Sequence, residues 1–321
     1  MKILVAPLNW GLGHASRCVP LIQQFLDEGH EVILGGDGES LTLLRKHFPK
    51  LRYTYLAPLH LRYSRGNRQV FAILRALPKL MMWSMKDHLM LKALLNEESI
   101  DRVISDNRFG LYSKHTECIY ITHQLHILLP RGWKWAEKTA SRLHARIYMR
   151  YNKVWIPDYE EEAKCLAGEL SRIPSSIHPS SFLFQYIGPL SRFKNHSPLT
   201  NNPSPLFDVV AILSGLEPQR TLLEKEILAR YANQEERVLV VQGLMNRPNT
   251  RIKRGNITLV PSMTDAELVS ALMGAKQIIA RSGYSTIMDL AALGLLNRSE
   301  LIPTPGQPEQ EYLATLLDKK H

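Results

Sequence analysis

A histidine and a carboxylate stand at positions of the sequence where catalytic side chains are common. His14 lies in the segment GLGHAS, just after the apolar run from Ile3 to Pro7. Asp106 closes another apolar segment, RVISD, which is typical of a buried strand. An imidazole titrates near neutral pH and can take up a proton, and a nearby carboxylate can orient the ring and stabilise the imidazolium. A helix cap or turn role for Asp106 remains the competing interpretation.

The segment around His14 predicts a strand, a tight turn and the start of a helix. Gly11 and Gly13 let the backbone turn sharply, and Ser16 is expected to cap the helix. Ligands bind at the carboxyl ends of the strands in an open α/β sheet, and the turn brings His14 to that edge. A dinucleotide site fits less well, because Ser16 replaces the third glycine of that fingerprint and the next strand, EVILGG, ends without an acid.

Length and composition favour a folded protein of two domains in a reducing compartment. The 321 residues exceed what one hydrophobic core usually serves. Cys18, Cys118 and Cys165 are odd in number and widely spaced, which matches neither a disulfide framework nor a zinc site. The opening MKILVAP has no basic segment before a long apolar region, and no apolar run is long enough to span a bilayer. We therefore expect a cytoplasmic protein.

The formal charge of +10 is concentrated in one stretch of the chain. Residues 131–153 carry seven basic side chains against one acid, Glu137, and the earlier segment 70–95 is rich in Leu and Met at helical spacing. Each segment alone is typical of a core helix with a solvated basic face. Side by side they also predict a peripheral surface for the anionic inner face of a membrane. Nucleic acid is not expected, because only Trp133 and Trp135 interleave with the basic run.

Strand and helix patterns alternate along the chain in two blocks. Six strand patterns precede residue 188, and the segment from Gly188 to Leu206 is rich in Pro, Asn and Ser, which is typical of a linker. A second block follows from FDVVAILSG onward. The prediction is an α/β protein with two Rossmann-like, doubly wound parallel-sheet domains. They cover residues 1–188 and 206–321, with a linker over 189–205.

Two motifs of the second block resemble those of the GT-B glycosyltransferases. They are RSGYSTIMD, from Arg281 to Asp289, and PTPGQPEQEYLA, from Pro303 to Ala314, and GLGH near the start supports them. Within GT-B the chain resembles the family 28 group that contains MurG. The resemblance implies two domains facing across a cleft, with a nucleotide-sugar donor, UDP-linked, in the C-terminal domain and the acceptor in the N-terminal one. Relatives usually continue with further helices, so the resemblance leaves open whether the C-terminal domain is truncated.

The resemblance assigns the donor to residues of the C-terminal domain. A turn at Gly283 opens a helix, and the backbone N–H groups at a helix N-terminus suit a diphosphate. Asp289 takes the place of a glutamate that accepts hydrogen bonds from the ribose, and the backbone at Met263 borders the base. Glu309 and Gln310 match residues that hold the sugar hydroxyls. The remaining donor candidates are Ser214, Gly215, Arg220, Arg281, Ser282, Thr286 and Gln307.

On the acceptor side the resemblance implies an inverting transfer with His14 as general base and Asp106 as its partner. A metal at His123 and His126 is not expected, since no carboxylate or cysteine accompanies them in the sequence. No cofactor is expected besides the nucleotide sugar. The acceptor would be a cell-envelope, lipid-linked or small-molecule compound. The acceptor-side candidates are Gly11, Gly13 and His123.

Two other functions stay open at this point. A UDP-sugar 2-epimerase shares the architecture and binds the same class of donor, although it is expected to place more charged residues around the cleft. A basic, non-enzymatic protein that binds membrane or nucleic acid is the alternative from another class. An assay with donor alone separates the first alternative from a transferase. Salt-sensitive DNA binding without any effect of UDP would favour the second.

Overall fold

The fold was obtained as a computed structural model, which describes residues 1–59, 69–174, 183–194, 206–215, 217–245, 247–248 and 250–319, with only the backbone for 69–76. The chain forms two α/β units. The strands of the first unit are β1 (Lys2–Pro7), β2 (Glu31–Gly36), β3 (Arg52–Tyr55), β4 (Arg102–Asp106), β5 (Glu117–Ile121), β6 (Lys153–Ile156) and β7 (Phe184–Tyr186). Its helices are α1 (Gly13–Asp27), α2 (Gly38–His47), α3 (Gln69–Glu97) and α4 (Glu137–Tyr148), the last preceded by a 3-10 helix over Arg131–Ala136.

The second unit repeats the alternation after the predicted linker, of which residues 195–205 lie outside the described part. Its strands are β8 (Val209–Ile212), β9 (Val238–Val241), β10 (Ile252–Arg254), β11 (Ile257–Val260), β12 (Gln277–Arg281) and β13 (Ser299–Ile302). Its helices are α5 (Gln219–Tyr231), α6 (Asp265–Gly274), α7 (Tyr284–Ala292) and α8 (Pro308–Asp318).

The first sheet has seven parallel strands in the order β3-β2-β1-β4-β5-β6-β7. Side chains alternate between its two faces because successive residues of a strand point to opposite sides. Ile3 and Val5 of β1 pack with α1 and α2 on one face. Leu4 and Ala6 pack on the other face, with side chains of α3 and α4. Such strands, apolar on both faces, are typical of a parallel sheet covered by helices.

The second sheet has six strands in the order β10-β11-β9-β8-β12-β13. The pairs are parallel except for the short antiparallel pair of β10 and β11. Helix α5 covers one face through Leu223 and Ile227, and α6 covers the other through Leu268 and Leu272. The predicted fold class, two parallel-dominated α/β sheets, is confirmed, and the domain limits at 188 and 205 remain predictions.

The two units share one hydrophobic cluster. Ile287 of α7 and Leu313 of α8 pack in the same cluster as Ala15 and Ile22 of α1. The hydroxyl of Tyr284 also crosses between the units and donates to the carbonyl of Pro157 at 2.8 Å. The second unit therefore rests on the helix that carries His14.

Helices α1 and α7 meet at their N-terminal ends. The hydroxyl of Ser285 donates to the carbonyl of Gly13 at 3.0 Å, and a Cβ on Gly13 would lie 2.9 Å from that hydroxyl oxygen. Glycine at this position thus permits the close approach. The expected cap at Ser16 is wrong, because α1 already begins at Gly13 and the hydroxyl of Ser16 donates back to the Gly13 carbonyl. Among the described residues, no helix is long and apolar enough to cross a membrane.

Candidate active site

The structure brings His14 and Asp106 together. His14 lies in the first turn of α1, Asp106 is the last residue of β4, and β1 and β4 are neighbours in the sheet. The imidazole Nδ1 is 2.9 Å from Oδ1 of Asp106. The carboxylate is fully buried, whereas 17% of the His14 side chain is exposed. The predicted pair therefore has one member within reach of solvent and one held inside the protein.

Arg17, which sequence reasoning did not identify, binds the same carboxylate. It lies one turn after His14 on α1, and its side chain is only 1% exposed. Its Nε donates to Oδ2 of Asp106 at 2.6 Å, and its Nη2 donates to Oδ1. The only sequence signal was the spacing of three residues from His14, which places both side chains on one face of a helix.

The charges of these groups determine which nitrogen of His14 can act as a base. Burial opposes ionisation of Asp106, but Arg17 and His14 outweigh it and hold the pKa of the carboxyl well below its usual range. Nδ1 of His14 also lies 3.0 Å from Nη2 of Arg17, which competes with the carboxylate for that nitrogen. In the tautomer whose Nδ1 donates to the ionised carboxylate, which only accepts, Nε2 keeps its lone pair. Burial lowers the pKa of His14, Asp106 opposes that effect, and Arg17 adds to it. The imidazole is therefore neutral at pH 7 and able to accept a proton.

His123 and Glu309, predicted for opposite sides of the cleft, are in contact. His123 follows β5, is buried, and has its Nε2 2.8 Å from Oε1 of Glu309 on α8. Its ring stacks on Tyr284 with centroids 4.1 Å apart. The side-chain amide of Gln124 donates to the other oxygen of the same carboxylate. Glu309, expected to hold sugar hydroxyls, thus binds side chains of the first unit.

The N-terminus of α7 has open space beside it. Gly283 is its N-cap residue, and a Cβ placed there would meet only Nε2 of Gln310, at 4.0 Å. Ser282 is buried and donates to the backbone carbonyl of Gln310 at 2.8 Å. The side-chain oxygen of Gln310 accepts from the Thr304 amide at 2.8 Å, and Thr286 is half-buried in the first turn. This is the geometry expected of an anion site at a helix N-terminus.

Arg281 is a buried cation whose hydrogen bonds go to carbonyl groups. It ends β12, is 4% exposed, and donates to the carbonyls of Pro303 and Gln219, each at 3.0 Å. Within the described part of the chain it forms no ion pair with a carboxylate, and its Nε has no hydrogen-bond partner. Burial lowers the pKa of this guanidinium. A bound anion would supply the missing negative charge.

The loops after β1 and β8 face each other at the same edge. A Cβ on Gly11 would lie 3.7 Å from Cα of Gly215, and both glycines have positive φ, 76° and 96°. Ser214 is half-buried beside them, and Gln307 is the N-cap residue of α8. The guanidinium of Arg220 is bound to two neighbouring carboxylates, those of Glu217 and Glu224, and its donor role stays a prediction.

Asp289, expected to accept hydrogen bonds from the ribose, already has a partner. Its Oδ1 accepts a hydrogen bond from the hydroxyl of Ser191 at 2.6 Å, and burial raises its pKa to about 6. Its contact with a ribose stays a prediction. Met263 lies nearby on the wall of a cavity of about 1420 Å³ between the two units, which Ser191 and Arg192 also line.

No family model matches the chain, but two curated relatives do. Both are described as uncharacterized glycosyltransferases of Methanosarcina acetivorans. One is 25% identical over 99% of this chain and 81% of the relative, and the other is 24% identical over 100% and 84%. Neither description names a donor or an acceptor.

Solved structures of similar fold are glycosyltransferases as well. The spinosyn rhamnosyltransferase SpnG has a TM-score of 0.57 at 12% identity, covering 100% of this chain and 91% of SpnG. SsfS6 of Streptomyces, complexed with thymidine diphosphate, has a TM-score of 0.55 at 13% identity, with coverage of 99% and 86%. The family 28 assignment stays a prediction. The fold is that of the GT-B glycosyltransferases, and the relatives and structural neighbours together support a glycosyltransferase enzyme.

Proposed function

We propose that the protein is an inverting glycosyltransferase in which His14 is the general base. One observation carries the proposal: the His14 and Asp106 pair adjoins the N-terminus of α7 through the contact of Gly13 with Ser285. An acceptor hydroxyl near Nε2 of His14 and a diphosphate at α7 would therefore lie on adjacent sides of one cleft.

The reaction is a single displacement at the anomeric carbon. The acceptor oxygen forms a bond to that carbon from the face opposite the diphosphate, and the bond to the diphosphate oxygen breaks with its electron pair. Nε2 of His14 takes the proton of the acceptor hydroxyl, and Asp106 stabilises the imidazolium. The departing diphosphate carries the negative charge that the α7 N-terminus can stabilise.

Positive charge supports placing the donor diphosphate at the start of α7. The buried guanidinium of Arg281 and the backbone N–H groups after Gly283 both favour an anion, and both lie at the junction of β12 and α7. We expect a uridine nucleotide. Thymidine diphosphate is the competing donor type, because the solved complexes of SpnG and SsfS6 hold it.

Calorimetry against UDP, thymidine diphosphate and GDP tests the donor site. We expect saturable binding of UDP that is tighter than the binding of either other nucleotide. The matching sugar nucleotide is then incubated with a lipid extract, and a product heavier by one sugar residue is sought by mass spectrometry. A changed sugar formed from donor alone would instead support the UDP-sugar 2-epimerase. Absence of binding by all three nucleotides would contradict the proposal.

We also propose that the acceptor is lipid-linked and that the first unit meets an anionic membrane surface. The outward side of α3 exposes large apolar side chains, among them Met81, which is 69% exposed, and Trp135 of the 3-10 helix before α4 is 77% exposed. Basic side chains follow in α4. We call this the α3–α4 surface; it comprises Leu77, Met81, Met82, Met85 and Leu89, with Trp135, Arg131, Lys134, Lys138, Arg142 and Arg146.

Helices α3 and α4 cover the same face of the first sheet. Phe109 packs edge-on between Trp83 of α3 and His144 of α4, with ring centroids 5.9 Å and 6.2 Å apart. Exposed apolar side chains bordered by Lys and Arg fit a bilayer that carries negative headgroups, and a tryptophan suits its interface. Since this unit also carries the proposed acceptor side, membrane contact would bring a lipid-linked acceptor to the cleft.

Vesicle sedimentation tests the α3–α4 surface. We expect binding to vesicles of phosphatidylglycerol and phosphatidylcholine that weakens as salt rises, because salt screens the attraction to headgroups. A double variant, Met81→Glu with Met85→Glu, should lose the binding. Leu222→Glu is the matched control, since Leu222 is an exposed apolar residue of α5 in the other unit. Equal binding to neutral and anionic vesicles would contradict the proposal.

A further inference from the structure

Five side chains form a continuous polar chain from α8 to α1. Glu309 contacts His123 at 2.8 Å, His123 contacts Arg17 at 3.4 Å, and Arg17 holds Asp106, which in turn contacts His14. We call it the cross-domain chain. Glu309 belongs to the second unit and the other members to the first. The side chains are buried or partly buried along the whole length.

The two ends of the chain decide where the proton of His123 lies. Arg17 can only donate hydrogen bonds, so the Nδ1 of His123 that faces it must accept. An ionised Glu309 can only accept, so Nε2 of His123 must donate. Burial opposes ionisation of Glu309, but His123 outweighs it and lowers the pKa of that carboxyl. His123 thus links Glu309 to Arg17 through its two ring nitrogens.

Every nitrogen of the Arg17 guanidinium has a partner in this chain. Nε and Nη2 form a fork on Asp106, Nη2 also lies 3.0 Å from Nδ1 of His14, and Nη1 lies 3.4 Å from Nδ1 of His123. A planar guanidinium with all three nitrogens engaged has one orientation. The carboxylate that orients His14 is thus held by a side chain whose third contact depends on the second unit.

We infer that Arg17 and His123 are positioning residues that couple docking of the second unit, through Glu309, to the orientation of the His14 and Asp106 pair. The inference rests on the proposed function, because only there does the His14 and Asp106 pair take part in catalysis. When Glu309 holds His123, Arg17 stays forked on Asp106 and takes up much of its charge. When that contact is lost, Arg17 loosens and more of the negative charge faces His14.

The direction in which the pKa of His14 changes distinguishes a positioning role of Arg17 from a direct effect of the Glu309 charge. Several titratable or charged groups surround His14, and Glu309 is the acid of the second unit among them. Removing its charge would, by electrostatics alone, make protonation of His14 harder and lower its pKa. Loosening of Arg17 has the opposite effect, because a freer Asp106 favours the imidazolium. The surrounding groups are Arg17 and Cys18 of α1, Asp106 of β4, His123 after β5, Tyr284 of α7 and Glu309 of α8.

The test is an NMR titration of the histidine side chains in the full chain, with the His14 signal assigned by its loss in His14→Gln. Two variants break the cross-domain chain at different points. Glu309→Leu removes the acceptor for His123, and His123→Phe removes both the donor toward Glu309 and the acceptor for Arg17. Glu311→Leu, at an exposed acid of the same helix, is the matched control.

We expect both variants to raise the pKa of His14, by about one unit, the usual size for a neighbouring charge. The control should leave it unchanged. An unchanged or lowered pKa of His14 in Glu309→Leu and His123→Phe, with folded protein by near-ultraviolet circular dichroism, would overturn the inference. Because the titration needs no donor, it stands apart from the proposed function. If nucleotide binding and transfer are absent while the pKa rises, only the proposed function fails.

Discussion

Asp106 accepts hydrogen bonds from three side chains of α1, those of His14, Arg17 and Cys18, so its single charge serves both His14 and Arg17. Arg17 is 1% exposed and has no second carboxylate within ion-pair distance in the described chain. Removing one partner of a buried ion pair leaves the other charge without compensation. Asp106 is thus as much a requirement of folding as of the proposed chemistry.

For Asp106→Asn we expect the free energy of unfolding to fall by about 3–5 kcal/mol, the usual cost of an uncompensated buried charge. Urea denaturation measures it. The double variant Arg17→Met with Asp106→Leu is the control, because it removes both charges and should recover most of the stability while transfer stays lost. A single variant as stable as the wild type would mean that Arg17 finds another partner.

We expect titration of His14 to set the pH dependence of transfer. Its pKa is lowered from 6.5 by burial, although Asp106 opposes the shift, so the neutral base persists below pH 6.5. The acid limb of kcat/KM should therefore lie below pH 6.5.

His14→Gln should lower kcat by roughly 10²- to 10⁴-fold with UDP affinity unchanged. His115→Gln, an exposed histidine, is the control. Full turnover of His14→Gln would place the base elsewhere.

At the scale of elements, the donor proposal depends on the start of α7. Gly283 has a φ of −73°, which any residue can adopt, and its missing Cβ faces open space. The glycine is therefore not required by the backbone of the unbound protein. A ligand that approaches the helix N-terminus closely would explain its presence.

Gly283→Val should fold normally and bind UDP at least about tenfold more weakly, because side-chain bulk would block the diphosphate from the backbone N–H groups. Calorimetry measures the affinity, and thermal unfolding checks the fold. Gly132→Val is the matched control, since a Cβ there also meets nothing within 4 Å. Unchanged UDP affinity in folded Gly283→Val would remove the donor from this helix.

The sequence predicted those elements and contacts that depend on neighbouring strands. His14 and Asp106 could be paired because each follows an apolar strand, and strand ends meet at one edge of a parallel sheet. Glu309 and His123 could not, because they are 186 residues apart and meet only where the two units dock. Arg17 resembled an ordinary helix residue, since its burial depends on a carboxylate 89 residues away.

At the scale of the molecule, the two sheets are joined by one apolar cluster. Ala15 and Ile22 of α1 pack with Ile287 of α7 and Leu313 of α8, so separating the units would expose apolar surface on both. The domain limits predicted from composition stay predictions, and each unit also has apolar clusters of its own beside this shared one.

We therefore expect one cooperative unfolding transition. Scanning calorimetry should give equal calorimetric and van't Hoff enthalpies, and tryptophan fluorescence and far-ultraviolet circular dichroism should change together. Saturating UDP should shift the whole transition upward, because a ligand that binds only the folded state stabilises it. Two separate transitions, with only one moved by UDP, would show that the units unfold independently.

The cross-domain chain also sets an order of events during synthesis on the ribosome. All strands of the first sheet have been made by Tyr186, with His14, Arg17, Asp106 and His123 already synthesised, but Glu309 lies 123 residues after Tyr186. At a usual translation rate of about 5–20 residues per second, that delay is roughly 6–25 s. A nascent chain would thus hold a complete first sheet for that time while its His14 and Asp106 pair still lacked the contact from α8.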